Sequence, residues 1–113
     1  MKILIRLSIV LSLMACASDK TLTYNSTLDD FKYPFKVTTF SLESQNQNLE
    51  MAYMDIGPKE TEKVIVLLHG KNFSGYYWER VANDLVKKGY RVIVPDQIGF
   101  GKSSKPTSYQ YNF

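Results

Sequence analysis

The sequence is poor in the side chains that most often carry chemistry, with a single cysteine, Cys16, and a single histidine, His69. One cysteine can form no disulfide within the chain, which excludes a fold held together by such bonds. The sequence also contains no repeat and no low-complexity tract, so a solenoid is excluded. Its 113 residues suffice for one small domain at most.

An excess of one charge is lacking as well. The 14 basic and 11 acidic residues give a formal net charge of +3, of which Lys2 and Arg6 contribute two charges. The other basic residues are scattered among Asp and Glu and form no stripe along the chain. We therefore expect no nucleic-acid partner.

Residues 1–15 have the pattern of an export signal. Lys2 and Arg6 supply its positive end. The apolar run Leu7–Met14 contains two serines and is shorter than the ~20 residues that a membrane-spanning helix needs. The four residues at the end of this run, Leu13-Met14-Ala15-Cys16, resemble the lipobox of bacterial lipoproteins. In a lipobox the cysteine is lipidated and becomes the mature N-terminus. Met14 departs from that pattern because it is bulkier than the residue usual at its position.

Lipidation of Cys16 predicts an exported, membrane-anchored lipoprotein that faces the periplasm or the cell exterior. It would account for an unpaired cysteine in an exported chain, and two or more acyl chains anchor a protein stably. Two alternatives stay open. One is a cleaved secretion signal that gives a soluble periplasmic or secreted protein, and the other is an uncleaved segment.

Hydrophobic periodicity predicts an α/β fold after a polar tether over residues 16–33. Two strands, 35–42 and 49–56, are expected to form a hairpin through a turn at 45–48. A continuous aliphatic run over 64–68 is typical of a strand buried on both faces of a parallel sheet. A helix from Tyr76, ended by Gly89, and a strand over 90–94 complete a parallel βαβ unit.

The folded domain is thus expected over residues 34–113, and it is expected to be truncated. A parallel sheet needs helices on both faces, whereas one crossover helix covers only one. Each exposed Val, Ile or Leu forgoes about 1.5–3 kcal/mol of burial. We therefore interpret the chain as the N-terminal portion of a larger domain.

Both loops that follow the parallel strands are rich in glycine. In the second loop, Gly101-Lys102-Ser103 matches the end of a phosphate-binding P-loop, but Asp96 stands where that motif requires its first glycine. The dinucleotide fingerprint also fails, because Ser104 occupies its third glycine position. We expect no nucleotide, no other cofactor and no metal ion.

Together the two loops resemble those of the α/β-hydrolase superfamily, in particular its haloalkane dehalogenase and epoxide hydrolase-like branch. The stretch 64–70, which ends in His69-Gly70, is similar to the strand and loop that form the oxyanion hole. The stretch 95–106 is similar to the next loop of that branch. This resemblance covers residues 35–113.

The resemblance implies a reaction by a nucleophile, a histidine base and an acid, acting on a small-molecule substrate. It implies that the backbone N–H of Lys71 donates to the oxyanion, with Asn72 or Phe73 as the alternative donor. The other loop residues are expected to be structural: His69, Gly70, Asn72, Phe73, Asp96, Gly99 and Gly101.

No triad is expected within these residues. The sequence contains neither Gly-x-Ser-x-Gly nor Gly-x-Asp-x-Gly, and the superfamily places its histidine base near the C-terminus, far beyond His69. The chain alone is therefore predicted to be inactive. Two functions stay open: an α/β-fold hydrolase in its complete form, for ester, epoxide or similar bonds, and a non-catalytic, membrane-anchored lipoprotein that binds a ligand.

Overall fold

The computed structural model describes residues 22–111, so the predicted signal, Cys16 and Phe113 lie outside the described residues. No helix within 22–111 is long and apolar enough to cross a membrane. The elements follow in chain order: β1 (Val37–Ser44), β2 (Gln47–Ile56), β3 (Val64–Val66), a 3₁₀ turn (Gly75–Trp78), α1 (Glu79–Lys87) and β4 (Arg91–Pro95).

Strands β1 and β2 form the predicted antiparallel hairpin. Its turn consists of Gln45 and Asn46, with φ angles of 51° and 57°. Two successive left-handed residues are typical of a type I′ turn, whose twist matches that of the flanking strands. The predicted turn over 45–48 was two residues too long, because Gln47 and Asn48 already pair with β1.

Strand β3, helix α1 and strand β4 form the predicted parallel βαβ unit. β3 pairs with β4 in parallel from Val64↔Arg91 to Val66↔Ile93. β2 pairs with β4 on the other side in antiparallel orientation, so the sheet order is β1-β2-β4-β3. The predicted fold class, an antiparallel hairpin followed by a parallel βαβ unit, is confirmed.

Helix α1 covers one face of this sheet. The core on that face contains Met54 from β2, Ala82 from α1, and Val92 and Val94 from β4. Val81, one residue before Ala82 on the helix, is 41% exposed. The tighter 3₁₀ turn before α1, with three residues per turn instead of 3.6, changes which side chains face the sheet.

The opposite face of β3 is open among the described residues. Val64, Val66 and Leu68 are 49%, 56% and 59% exposed, whereas Leu67 between them packs against the core. The strand predicted to be buried on both faces is therefore buried on one. The physical reason is that the single crossover helix, α1, covers the opposite face of the sheet, as expected.

Candidate active site

Two loops meet at the carboxyl ends of the parallel strands, the edge at which open α/β sheets bind ligands. The loop of residues 69–74 follows β3 and the loop of residues 96–106 follows β4. They line a cleft of about 970 Å³ together with residues of the hairpin turn and of 109–111. Lys71 is the one charged residue that lines the described part of this cleft.

His69 joins the two loops. Its Nε2 atom accepts the backbone N–H of Gln97 at 2.9 Å, and the Gln97 side-chain amide donates to the His69 carbonyl at 2.6 Å. Because Nε2 accepts, the ring proton lies on Nδ1, which donates to the Gly70 carbonyl at 2.9 Å. The ring is buried and both its nitrogens are engaged. This arrangement braces the loop and leaves no nitrogen for a general base.

A turn over residues 70–73 contributes Gly70 and Lys71 to the lining of the cleft. The Phe73 N–H donates to the Gly70 carbonyl at 3.1 Å, and Asn72 has a φ of 68°. A single left-handed residue at the third position defines a type II turn, with Lys71 at the second position. The Phe73 N–H is therefore occupied. Among residues 22–111, no acceptor contacts the N–H of Lys71 or Asn72.

Asp96 is a buried carboxylate, 1% exposed, that holds three donors. Its Oδ1 atom accepts the Gly75 N–H at 2.6 Å. Its Oδ2 atom accepts the Lys102 N–H at 2.7 Å and the Tyr33 hydroxyl at 2.6 Å. Hydrogen bonds to a charged group are stronger than neutral ones, which offsets the cost of burying the charge. Asp96 therefore fixes the start of the 3₁₀ turn and the second loop to the end of β4.

Two glycines of the second loop stand where a side chain would collide. Gly101 has a φ of +51°, and a Cβ atom there would overlap the Asp96 carboxylate. Gly99 has a φ of +95°, and its Cβ atom would lie 2.5 Å from the Tyr111 hydroxyl. Gly101 thus requires glycine for conformation and for space, whereas Gly99 requires it for conformation, since the exposed Tyr111 side chain can move away.

The residues that resemble the end of a P-loop are engaged within the protein. The buried Ser103 hydroxyl donates to the Asp96 carbonyl and accepts the Ala52 N–H. The Lys102 N–H contacts Asp96, and its ammonium group donates to the Leu28 carbonyl. An internal carboxylate thus occupies the place that a phosphate would take in a nucleotide site.

The segment of residues 24–33, predicted as part of a polar tether, contacts both loops. The centroids of the Phe31 and Tyr76 rings lie 4.9 Å apart. The Lys102 ammonium group lies 5.3 Å from the centroid of the Tyr33 ring. Burial and the hydrogen bond to the Asp96 carboxylate raise the pKa of Tyr33, so its hydroxyl stays protonated and donates. The aromatic residues within this segment are the sequence signal for such packing, which the prediction of a polar tether does not include.

Ser74, Tyr76 and Tyr77 lie where the first loop joins the 3₁₀ turn. The Ser74 side chain makes no capping hydrogen bond, because Asp96 takes the Gly75 N–H instead. Tyr76 and Tyr77 are both exposed, at 42% and 44%. No group of three His, Cys, Asp or Glu side chains within 22–111 could hold a metal ion.

Comparison with known proteins agrees with this architecture. The family described as "alpha/beta hydrolase fold" matches residues 63–113. A probable hydrolytic enzyme from Pseudomonas aeruginosa PAO1 is 48% identical in sequence and superposes with a TM-score of 0.73, over 78% of this chain and 28% of that one. The chain has part of the α/β-hydrolase fold. Its homologues also include epoxide hydrolases and a bromoperoxidase.

Curated relatives of this chain have different named activities. A haloalkane dehalogenase from Mycobacterium marinum is 41% identical over 76 residues, which cover 66% of this chain and 25% of that protein. A cis-3-alkyl-4-alkyloxetan-2-one decarboxylase from Xanthomonas campestris pv. campestris is 47% identical over 58 residues, 51% of this chain and 19% of that protein. The chain thus spans about a quarter or less of the length of these relatives.

Proposed function

We propose that this chain supplies the oxyanion loop of an α/β-hydrolase whose nucleophile, histidine base and acid come from residues outside 1–113. The observation that carries the proposal is the braced turn of residues 70–73, in which the N–H groups of Lys71 and Asn72 have no acceptor among residues 22–111. A loop that holds backbone donors at the edge of a cleft is what stabilisation of a developing oxyanion requires.

With an ester substrate, the nucleophile of the complete protein attacks the carbonyl carbon, and negative charge develops on the carbonyl oxygen. The Lys71 N–H and the N–H of the residue after the nucleophile donate to that oxygen. The histidine base takes the proton of the nucleophile and passes it to the leaving alcohol as the ester bond breaks, water then releases the acyl group as a carboxylic acid, and the acidic residue orients the histidine ring. His69 takes no part in these proton transfers, since both its nitrogens are engaged in the loop.

The bond class is ester, epoxide or a similar bond, and the substrate is a small molecule. The named activities of the relatives support this range, because they include dehalogenation and epoxide hydrolysis. The alternative is a non-catalytic, membrane-anchored module that uses the cleft only for binding.

A substrate panel on the complete protein tests the proposal. We expect turnover of at least one of three substrates, p-nitrophenyl butyrate, styrene oxide and 1-bromobutane. Turnover is measured as the release of nitrophenol, diol or bromide, respectively. A folded protein that turns over none of the three, yet binds one of them by calorimetry, would support the binding module instead.

We further propose that Cys16 is lipidated and that the protein is anchored to a membrane. The short apolar run that ends in Leu13-Met14-Ala15-Cys16, with no other cysteine in the chain, supports this. Labelled palmitate should enter the parent protein and not Cys16→Ser, and only the parent should sediment with membranes. Equal labelling of the two would contradict the proposal.

A further inference from the structure

The loop with the candidate oxyanion donors is held at both of its ends by Asp96 and Gln97, the first two residues of the loop after β4. Gln97 holds His69 through two hydrogen bonds, and Asp96 holds the Gly75 N–H through Oδ1. The donors of residues 71 and 72 lie between these two fixed points. Their position therefore depends on where the Asp96 carboxylate lies.

The Asp96 carboxylate is oriented from its other oxygen. Its Oδ2 atom accepts the Tyr33 hydroxyl and the Lys102 N–H. Lys102 belongs to the same loop as Asp96, whereas Tyr33 comes from the segment before β1. Within residues 22–111, Tyr33 is thus the one side chain outside the two loops that donates to this carboxylate.

The segment that carries Tyr33 is itself packed on the site. The Tyr33 ring lies 6.0 Å from the Tyr76 ring, one residue after Gly75. The Lys102 ammonium group donates to the Leu28 carbonyl, which holds the same segment at a second point. Tyr33 is accordingly fixed relative to both loops.

We infer that Tyr33 is a positioning residue of the proposed hydrolase, acting on the oxyanion donors through Asp96 and Gly75. This inference rests on the proposed function, because it assigns the hydroxyl a part in the same reaction. Loss of the hydroxyl would leave Oδ2 with one donor and allow the carboxylate to turn, and the loop would lose one of its fixed ends.

The test is Tyr33→Phe in the complete protein, which keeps the ring and removes only the hydroxyl. We expect kcat to fall about fivefold or more with KM nearly unchanged, since the donors act mainly on the transition state. 3-Fluorotyrosine at position 33 retains the hydroxyl and should restore kcat. The matched control is Tyr24→Phe, because the exposed Tyr24 also packs on Phe31 but its hydroxyl donates to no residue of 22–111.

A Tyr33→Phe protein with lowered thermal stability but parental kcat would overturn the inference and leave Tyr33 a purely structural role. Should this variant not fold, Lys102→Met is the substitute. It removes the contact of the ammonium group with Leu28, in the segment that carries Tyr33, and keeps the hydrogen bond from the backbone N–H of residue 102 to Asp96. Parental kcat in a folded Lys102→Met protein would also overturn it.

Failure of the proposed function can be told apart from failure of this inference. A parent protein without hydrolytic activity contradicts the function only. The amide signals of Lys71, Asn72 and Gly75 then report on the loop, and we expect faster hydrogen exchange at Gly75 in Tyr33→Phe. Identical exchange in parent and variant would contradict the positioning role independently of any reaction.

Discussion

At the scale of single residues, the position of Lys71 in its turn allows a backbone donor to be removed with little distortion. Lys71 occupies the second position of a type II turn, where proline is favoured, and the preceding Gly70 tolerates the restriction that proline imposes. Proline at position 71 would therefore delete one N–H and keep the turn.

We predict that Lys71→Pro lowers kcat of the complete protein by ~10²–10³, the loss typical of one oxyanion-hole donor. Lys71→Ala keeps the N–H and should retain most of the kcat. Circular dichroism and melting of both variants serve as the folding control. If Lys71→Ala is as damaging as Lys71→Pro, the side chain is the working group, and a harmless Lys71→Pro would move the donor to Asn72.

The two loops of the candidate site could be located from their motifs, whereas the hydrogen-bond partners of their residues could not. The His69-Gly70 pair and the spacing of Gly99 and Gly101 identify the loops without any coordinates. That Gln97 braces His69, and that Tyr33 reaches Asp96 across 63 positions, depends on how the loops fold over each other. Such contacts between distant positions leave no periodic pattern in the sequence.

At the scale of elements, an ion pair joins β2 to β4. The Arg91 guanidinium donates to both carboxylate oxygens of Asp55, at 2.9 and 2.8 Å. Lys59 adds a contact at 2.7 Å. The hydrogen bonds from Arg91 lower the pKa of Asp55 to about 2. Asp55 thus stays charged in the folded protein at pH values where it is protonated in the unfolded chain.

We predict a pH-dependent stability difference between the complete parent protein and Asp55→Asn. The folded pKa lies below the unfolded one, so this stabilisation is complete above about pH 4 and is lost as the pH falls towards 2. The parent should melt at a higher temperature than the variant at pH 6, and the gap should narrow below pH 4. It should also shrink in high salt, because the pair is partly exposed.

Asp84→Asn provides the control for this experiment. Asp84 pairs with Lys87 at 3.6 Å on an exposed face of α1, with side chains 58% and 76% exposed. Exposed pairs of this kind contribute little, so its melting temperature should follow the parent at every pH. A constant gap for Asp55→Asn across the acid range would show that the mutation acts through packing and not through charge.

Element types and their order could be predicted from hydrophobic periodicity, but their ends could not. β3 was expected to reach Leu68 and ends at Val66, although the Leu67 N–H still donates to the Ile93 carbonyl. The helix was expected from Tyr76, where the structure has a 3₁₀ turn. In both cases contacts with the neighbouring loop decide the boundary, and these are tertiary contacts.

At the scale of the whole molecule, the open face of β3 governs stability. Val64, Val66 and Leu68 are about half exposed, and full burial of each would contribute up to about 1.5–3 kcal/mol. Three such side chains amount to a large part of the 5–15 kcal/mol by which a domain is typically stable. The sheet therefore needs a second layer on this face.

We predict that the isolated segment of residues 17–113 is unfolded, molten or aggregated. The complete protein, studied under the same conditions, is the control and should melt cooperatively. A cooperative thermal transition of the segment, together with dispersed amide signals in its NMR spectrum, would show that α1 and the hairpin suffice for a stable core.

The same strand has a consequence for protein quality control in the cell. β3 is at the edge of the described sheet, so one row of its backbone N–H and C=O groups has no partner strand there. A polypeptide released by interrupted synthesis soon after β4 would combine this edge with an uncovered apolar face. Such a product is a substrate for chaperones and proteases, or a seed for pairing with another nascent chain. Partial synthesis of this protein should therefore leave degraded or aggregated material and no persistent soluble fragment.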